Sequence, residues 1–231
     1  MPVDKEKYHE IIKELGTTNT TLVAVSKTKP VDDIKEMYEL GQRDFGENYV
    51  QELVDKQSKL PADIRWHFIG HLQSNKVKYI APFISLIQGV DSLKLLNEIN
   101  KQAIKNSRII DCLLQVYIAQ EESKFGMDEQ ELDDAIIRSS QMANVRICGL
   151  MGMASFTDNL NKVRSEFHYL KTLFDKHTQH PASPAKGGIA VTTLNLKLQT
   201  LSIGMSSDYK IAIEEGSTMV RIGSLLFGER N

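Results

Sequence analysis

The chain has 231 residues, 41% of them hydrophobic and 25% charged, which is ordinary globular composition and enough for one large α/β domain with a buried core. A formal net charge of −2 leaves no broad basic field, so nucleic acid and anionic membrane lack the electrostatic footprint that binding them requires. No apolar run is long enough to span a membrane, and the amphipathic start "MPVDKEKYHEIIKEL" lacks the apolar core of a signal peptide.

After that opening helix, short apolar runs alternate with stretches of helical period. In order the runs are 21–27, 43–46, 65–70, 86–91, 110–118, 145–153, 200–204 and 219–223. Between them, "VDDIKEMYELG", "SLKLLNEINKQAIKN" and "DEQELDDAIIRSSQMA" place apolar residues at helix spacing, with Asp, Ser or Glu near their starts. Eight β runs, each followed by a helical stretch, predict a parallel sheet with crossover helices. Eight in unbroken alternation predict closure into a single (β/α)8 TIM barrel of α/β class; a doubly wound open sheet is the alternative. One domain is expected over residues 1–231, interrupted only by a flexible insertion at 177–199, rich in Pro, Gly and Ser at its start. Cys112 and Cys148 lie in apolar strand-like runs. They could pair, but the reading adopted is buried reduced thiols in a cytoplasmic protein.

In such a barrel the working residues sit at the C-terminal ends of the strands. Three places carry polar residues there. In "AVSKTKP", period 2 puts Val23, Val25 and Lys27 on one strand face and Leu22, Ala24 and Ser26 on the other. Lys27 is either a lysine reaching water or an amine held among apolar residues and poised to condense with a carbonyl compound. Near the C-terminus, Ser206 follows the seventh strand, and Gly223 and Ser224 follow the eighth. Ser206 could cap a helix, but two such devices on adjacent strands favour a phosphate site. "MVRIG" places Arg221 on the face of Met219, so an inward Met219 implies a buried guanidinium, held by an internal ion pair or by a ligand. Glu47 and Asn48, after the second strand, read as a helix N-cap or as a polar ligand contact. His67 and His71 are four apart, but the first lies on a strand and no cluster completes a metal site, so none is expected.

Five stretches in one order, "VAVSKTKP", "FGENYVQE", "WHFIGHLQSNK", "GLMGMA" and "LSIGMSSDYKIAIEEGSTMVRIGSLLFGER", resemble the YggS/PROSC family of pyridoxal phosphate homeostasis proteins. The resemblance runs from about residue 20 to the end. It implies pyridoxal 5′-phosphate as cofactor, Lys27 as its Schiff-base lysine, Ser206, Gly223 and Ser224 as phosphate-binding groups, and Arg221 facing the pyridine nitrogen. Asn48 and Met205 match positions lining the cofactor pocket. The implied fold is the barrel domain of alanine racemase. Two departures stand out: Ile203 replaces a frequent Met, and 177–199 is longer than usual.

The resemblance implies a cofactor carrier in vitamin B6 homeostasis, with no catalytic residues assigned. Such a protein holds pyridoxal phosphate reversibly, limits free aldehyde and hands it to apo-enzymes that depend on it; a monomer is implied. A guanidinium keeps its proton, so the ring nitrogen facing it stays unprotonated and the ring is a poor electron sink. The alternative is a small fold-type III enzyme, an amino-acid racemase or lyase, which needs a second titratable group from Tyr49, His71 or Tyr209. A barrel binding a sugar phosphate alone would leave Lys27 unexplained.

Overall fold

In the computed structural model, which describes residues 3–119, 125–179 and 196–228, eight parallel strands close into a barrel in chain order. They are β1 (Thr21–Val25), β2 (Asp44–Glu47), β3 (Arg65–Phe68), β4 (Leu86–Val90), β5 (Ile110–Gln115), β6 (Val145–Met151), β7 (Leu196–Ser202) and β8 (Met219–Ile222). β8 pairs with β1, setting Arg221 opposite Val23. The helices are α1 (Lys5–Gly16), α2 (Val31–Glu39), α3 (Val50–Gln57), α4 (Val77–Ile80), α5 (Leu93–Lys105), α6 (Glu129–Ser139), α7 (Leu160–Gln179), α8 (Tyr209–Glu214) and α9 (Ser224–Phe227). None is long and apolar enough to cross a membrane.

Local chemistry fixes where these elements start. Ser92 caps α5 by accepting from the peptide N of Leu95 at 3.3 Å. Asp128 and Glu131 form a reciprocal capping box on α6, satisfying two N–H groups that a helix start otherwise leaves unpaired.

Alternation along the strands makes two apolar layers. Leu22, Ala24 and Phe45 face outward into the large core under the helices, whereas Val23, Leu86, Leu113, Met151 and Met219 fill the barrel interior. Burial of a large apolar side chain stabilises by roughly 1.5–3 kcal/mol, so the outer layer carries most of the apolar stabilisation. The smaller interior layer leaves room for buried polar groups. Cys112 belongs to the outer layer and Cys148 packs against the inner one; both thiols are free.

The expected insertion is narrower at both ends than 177–199. His177 is buried in the last turn of α7, so that helix runs to Gln179. Leu196–Ser202 is β7, four residues earlier than the predicted start, and Leu198 is buried in the outer core. The remainder, 180–195, lies outside the described residues.

Candidate cofactor-binding site

The strand period persists beyond the end of β1. Ser26 continues the outward face and is fully buried, while half-buried Lys27 continues the inward face of Val23 and lines a cavity. Thr28 then takes a left-handed backbone, φ 64°, which disfavours a β-branched residue by roughly 1–2 kcal/mol. Such a conformation persists where its surroundings over-determine it.

The surroundings here are charged and lie between β1, β2 and α3. The Thr28 N–H donates to Glu52 Oε1 at 2.6 Å, and Lys56 Nζ donates to the same oxygen at 2.6 Å. Lys56 Nζ also donates to the carbonyl of Ser26 and to Glu47 Oε1, both at 2.7 Å. Ser26 Oγ completes the set by donating to Glu47 Oε1 at 2.7 Å. Burial pushes the Glu47 carboxyl up from its ordinary value, against the pull of Lys56, and Glu47 Oε2 is buried without a partner.

At the far side of the cavity, Gly204 turns the chain out of β7 with φ 95°; a Cβ there would lie 2.6 Å from that of Ala212. The turn continues through Met205, whose N–H donates to Asp208 Oδ1 at 2.6 Å, and brings Ser206 Oγ to accept from the N–H of Gly223 at 3.2 Å. Ser206 therefore caps no helix. It joins the loops after β7 and β8.

Arg221 is buried inside the barrel. Its Nη1 donates to the carbonyl and hydroxyl of Ser202 at 2.8 and 2.6 Å, and its Nη2 to the carbonyl of Gly152 at 3.0 Å. These acceptors are neutral oxygens, and among the described residues no carboxylate bonds the guanidinium, although the charge of Asp208 acts on it. Burial pulls the guanidinium down to about 10, leaving it charged at neutral pH. These three bonds use three of its five N–H groups.

A polar chain runs from Arg221 through the interior. Ser202 Oγ donates to Gln88 Oε1 at 2.8 Å, and Gln88 Nε2 lies 2.9 Å from His67 Nδ1. An amide N–H can only donate, so His67 Nδ1 accepts and the ring proton sits on Nε2, 3.1 Å from Asp44 Oδ1. Asp44 is also held by one edge of Arg65, whose Nε donates to Oδ1 and Nη2 to Oδ2. Burial would raise its carboxyl, but the bonds from His67 and Arg65 prevail and hold it at about 2.

The cavity, about 630 Å³, opens at the C-terminal ends of the strands. All seven residues singled out in the sequence line it: Lys27, Asn48, Met205, Ser206, Arg221, Gly223 and Ser224. Lys29 and Ser207 line it too. They stand in the quoted motifs, two residues after Lys27 and one after Ser206, and that adjacency was the available signal. Lys29 Nζ also binds the carbonyl of Phe227 at 2.6 Å.

Three cationic side chains and three serine hydroxyls thus face one space, and among the described residues no carboxylate lines it. Ile69, Met153 and Met205 supply apolar wall. Asn48 Oδ1 is buried with no partner, a desolvated polar atom that a ligand would satisfy. An anionic, partly apolar molecule carrying further polar groups fits this lining, and pyridoxal phosphate is of that kind.

Other expected contributors lie elsewhere. Glu47 turns away from the cavity to Lys56, and neither it nor Asn48 caps α3, whose N-cap is Tyr49 without a side-chain bond. Tyr49 is exposed; His71 pairs with Asp91 at 2.8 Å and stacks on Phe125; Tyr209 donates to Glu14 at 3.0 Å. None of these three lines the cavity. His67 and His71 diverge, one into the barrel and one to Asp91.

The family described as the alanine racemase N-terminal domain matches residues 5–231. A pyridoxal phosphate homeostasis protein of Aquifex aeolicus is 39% identical over 216 residues, spanning 93% of this chain and 89% of that relative. The chain belongs to the pyridoxal phosphate homeostasis protein family. Among solved structures, PipY of Synechococcus elongatus without pyridoxal phosphate superposes with a TM-score of 0.86 at 34% identity, covering 96% of this chain and 99% of PipY. PipY with pyridoxal phosphate bound gives 0.83 at the same identity and coverage. The closed eight-stranded barrel is thus the family's fold, and the cavity at its C-terminal end lies where such barrels carry their sites.

Proposed function

We propose that this protein binds pyridoxal 5′-phosphate reversibly at the C-terminal end of its barrel and acts in vitamin B6 homeostasis as a carrier. The observation that carries this reading is the cavity shared by Lys27, Arg221 and the serines of two adjacent loops, without a carboxylate among the described lining residues. Pyridoxal phosphate supplies an aldehyde that condenses with a primary amine, a C=N bond forming as one water leaves.

Lys27 is the amine for that bond, at the end of β1 and on its inward face. Ser206 and Ser224 offer hydroxyl donors to the phosphate, beside Gly223, where a Cβ would lie 3.3 Å from that of Val25. The absent side chain keeps the space between β8 and β1 open. Arg221 keeps its proton and its charge, so it can only donate, and a ring nitrogen facing it is kept as an acceptor. Asn48 presents a buried amide, and Met205 an apolar wall. A racemase or lyase would need a second acid or base beside the Lys27 amine; Tyr49, His71 and Tyr209 all lie outside the cavity lining, and the Lys29 amine that does line it is held by the Phe227 and Gly228 carbonyls. That supports holding and releasing the cofactor over chemistry on amino acids. Release in the cytoplasm to apo-enzymes, by a protein working as a monomer, completes the reading.

The test is the visible absorption spectrum of the purified protein titrated with pyridoxal phosphate, alongside Lys27→Ala. A band made permanent at Lys27 by borohydride, and lost in the variant, supports the reading. A parent without the band, or a variant that keeps it, rejects Lys27 as the anchor.

A further inference from the structure

We propose that Glu52 and Lys56 of α3 are positioning residues for Lys27, forming a clamp that sets where its amine reaches and contributes nothing to the hold on ring or phosphate. This rests on the cofactor reading above and specifies how the covalent part of binding is controlled.

Lys27 is fixed from both flanks by one helix. On its N-terminal side the Ser26 carbonyl accepts from Lys56 Nζ at 2.7 Å and from the Lys29 N–H at 3.0 Å. On its C-terminal side the Thr28 N–H donates to Glu52 at 2.6 Å. Glu52 and Lys56 are four apart on α3 and are themselves paired, so the two grips move as one. The turn they hold is not one that Thr28 adopts by preference, with φ at 64°. Without the grip, its backbone would relax to negative φ, turning the Lys27–Thr28 peptide and redirecting the lysine side chain.

The network is also dear for a mere staple. Apolar residues would join α3 to the barrel at least as well as a buried ion pair, yet this one keeps Glu47 fully buried with one oxygen unpartnered. Neither Glu47, Glu52 nor Lys56 lines the cavity, so their influence on a ligand must pass through the turn.

The test compares two ligands on the full chain. Pyridoxal phosphate can bond to Lys27; pyridoxine 5′-phosphate has the same ring and phosphate but no aldehyde. Glu52→Ala is expected to weaken pyridoxal phosphate binding about tenfold, as loss of one charge-assisted hydrogen bond implies, while affinity for pyridoxine 5′-phosphate stays at the parent value. Glu52→Gln keeps an acceptor for the Thr28 N–H and should recover most of the loss. If Glu52→Ala does not fold, Glu52→Asp draws the carboxylate one methylene back from the Thr28 N–H and should show the same split. Equal weakening for both ligands, or for neither, overturns the clamp. A parent that does not bind pyridoxal phosphate through Lys27 fails the cofactor reading itself, and the clamp with it. A parent that does so while Glu52→Ala matches it fails the clamp alone.

Discussion

Lys27 and Arg221 reach one cavity from neighbouring strands, but opposite means hold them. Behind Lys27 the support is charged, lies outside the barrel, and is self-neutralising in part: one ammonium against two carboxylates. Behind Arg221 the contacts are neutral and inside the barrel, a hydroxyl and two carbonyls, with an amide and an imidazole beyond. The difference follows from what each region can supply. A crossover helix can bring Lys56 and Glu52 alongside a strand end, whereas the interior receives only alternate residues of the strands. It also has a consequence for the site. Dipoles orient the guanidinium without cancelling it, so the charge of Arg221 stays available to the cavity.

The contrast can be broken at its ends. Lys56→Met should have the largest effect, about 3–5 kcal/mol lost in urea unfolding, because it strands a fully buried carboxylate without its cation. A loss below about 1 kcal/mol would place the Lys56 network among ordinary surface pairs. Gln88→Leu interrupts the neutral chain and leaves Ser202 and His67 buried with one partner fewer each. About 2–3 kcal/mol is expected there, again by urea unfolding, smaller because no ion is stranded.

Asp44, at the outer end of that chain, makes a pH signature. Its folded pKa of about 2 lies below the unfolded value of roughly 3.9, so its contribution is fully present above about pH 4 and is lost as pH falls towards 2. Unfolding midpoints across that window should show Asp44→Asn lacking an acid-limb loss on the order of 2 kcal/mol that the parent displays. The smallest effect sharpens the other side: Thr28→Gly, by relieving the left-handed backbone, should raise stability by about 1 kcal/mol in the same assay.

Much of this was legible in the sequence because period survives folding. Alternation in "LVAVSK" placed Lys27 inward one step beyond the strand's hydrogen bonds, and "MVRIG" placed Arg221 with Met219. The start of β7 was missed although "LKLQ" alternates. It follows a Pro- and Gly-rich stretch, and its first residues are only half covered. The charged network behind Lys27 was not legible beyond the helix spacing of Glu52 and Lys56. Glu47 and Lys56 are nine residues apart on different elements, a spacing that carries no periodic signal, and their meeting depends on how α3 settles against β1 and β2. The polar chain inside the barrel joins β8, β7, β4, β3 and β2, an association that only closure creates.

The seam between β1 and β8 has a consequence for how the protein is made. The amine proposed as the anchor leaves the ribosome among the first strands, but the serines and the guanidinium that line the same cavity emerge with the last two. The barrel cannot close, and the cavity cannot take its full lining, until β8 has been made and pairs with β1. On the proposed reading, cofactor met before then would find an amine without a seat for its phosphate, so retention would begin only once that seam has closed.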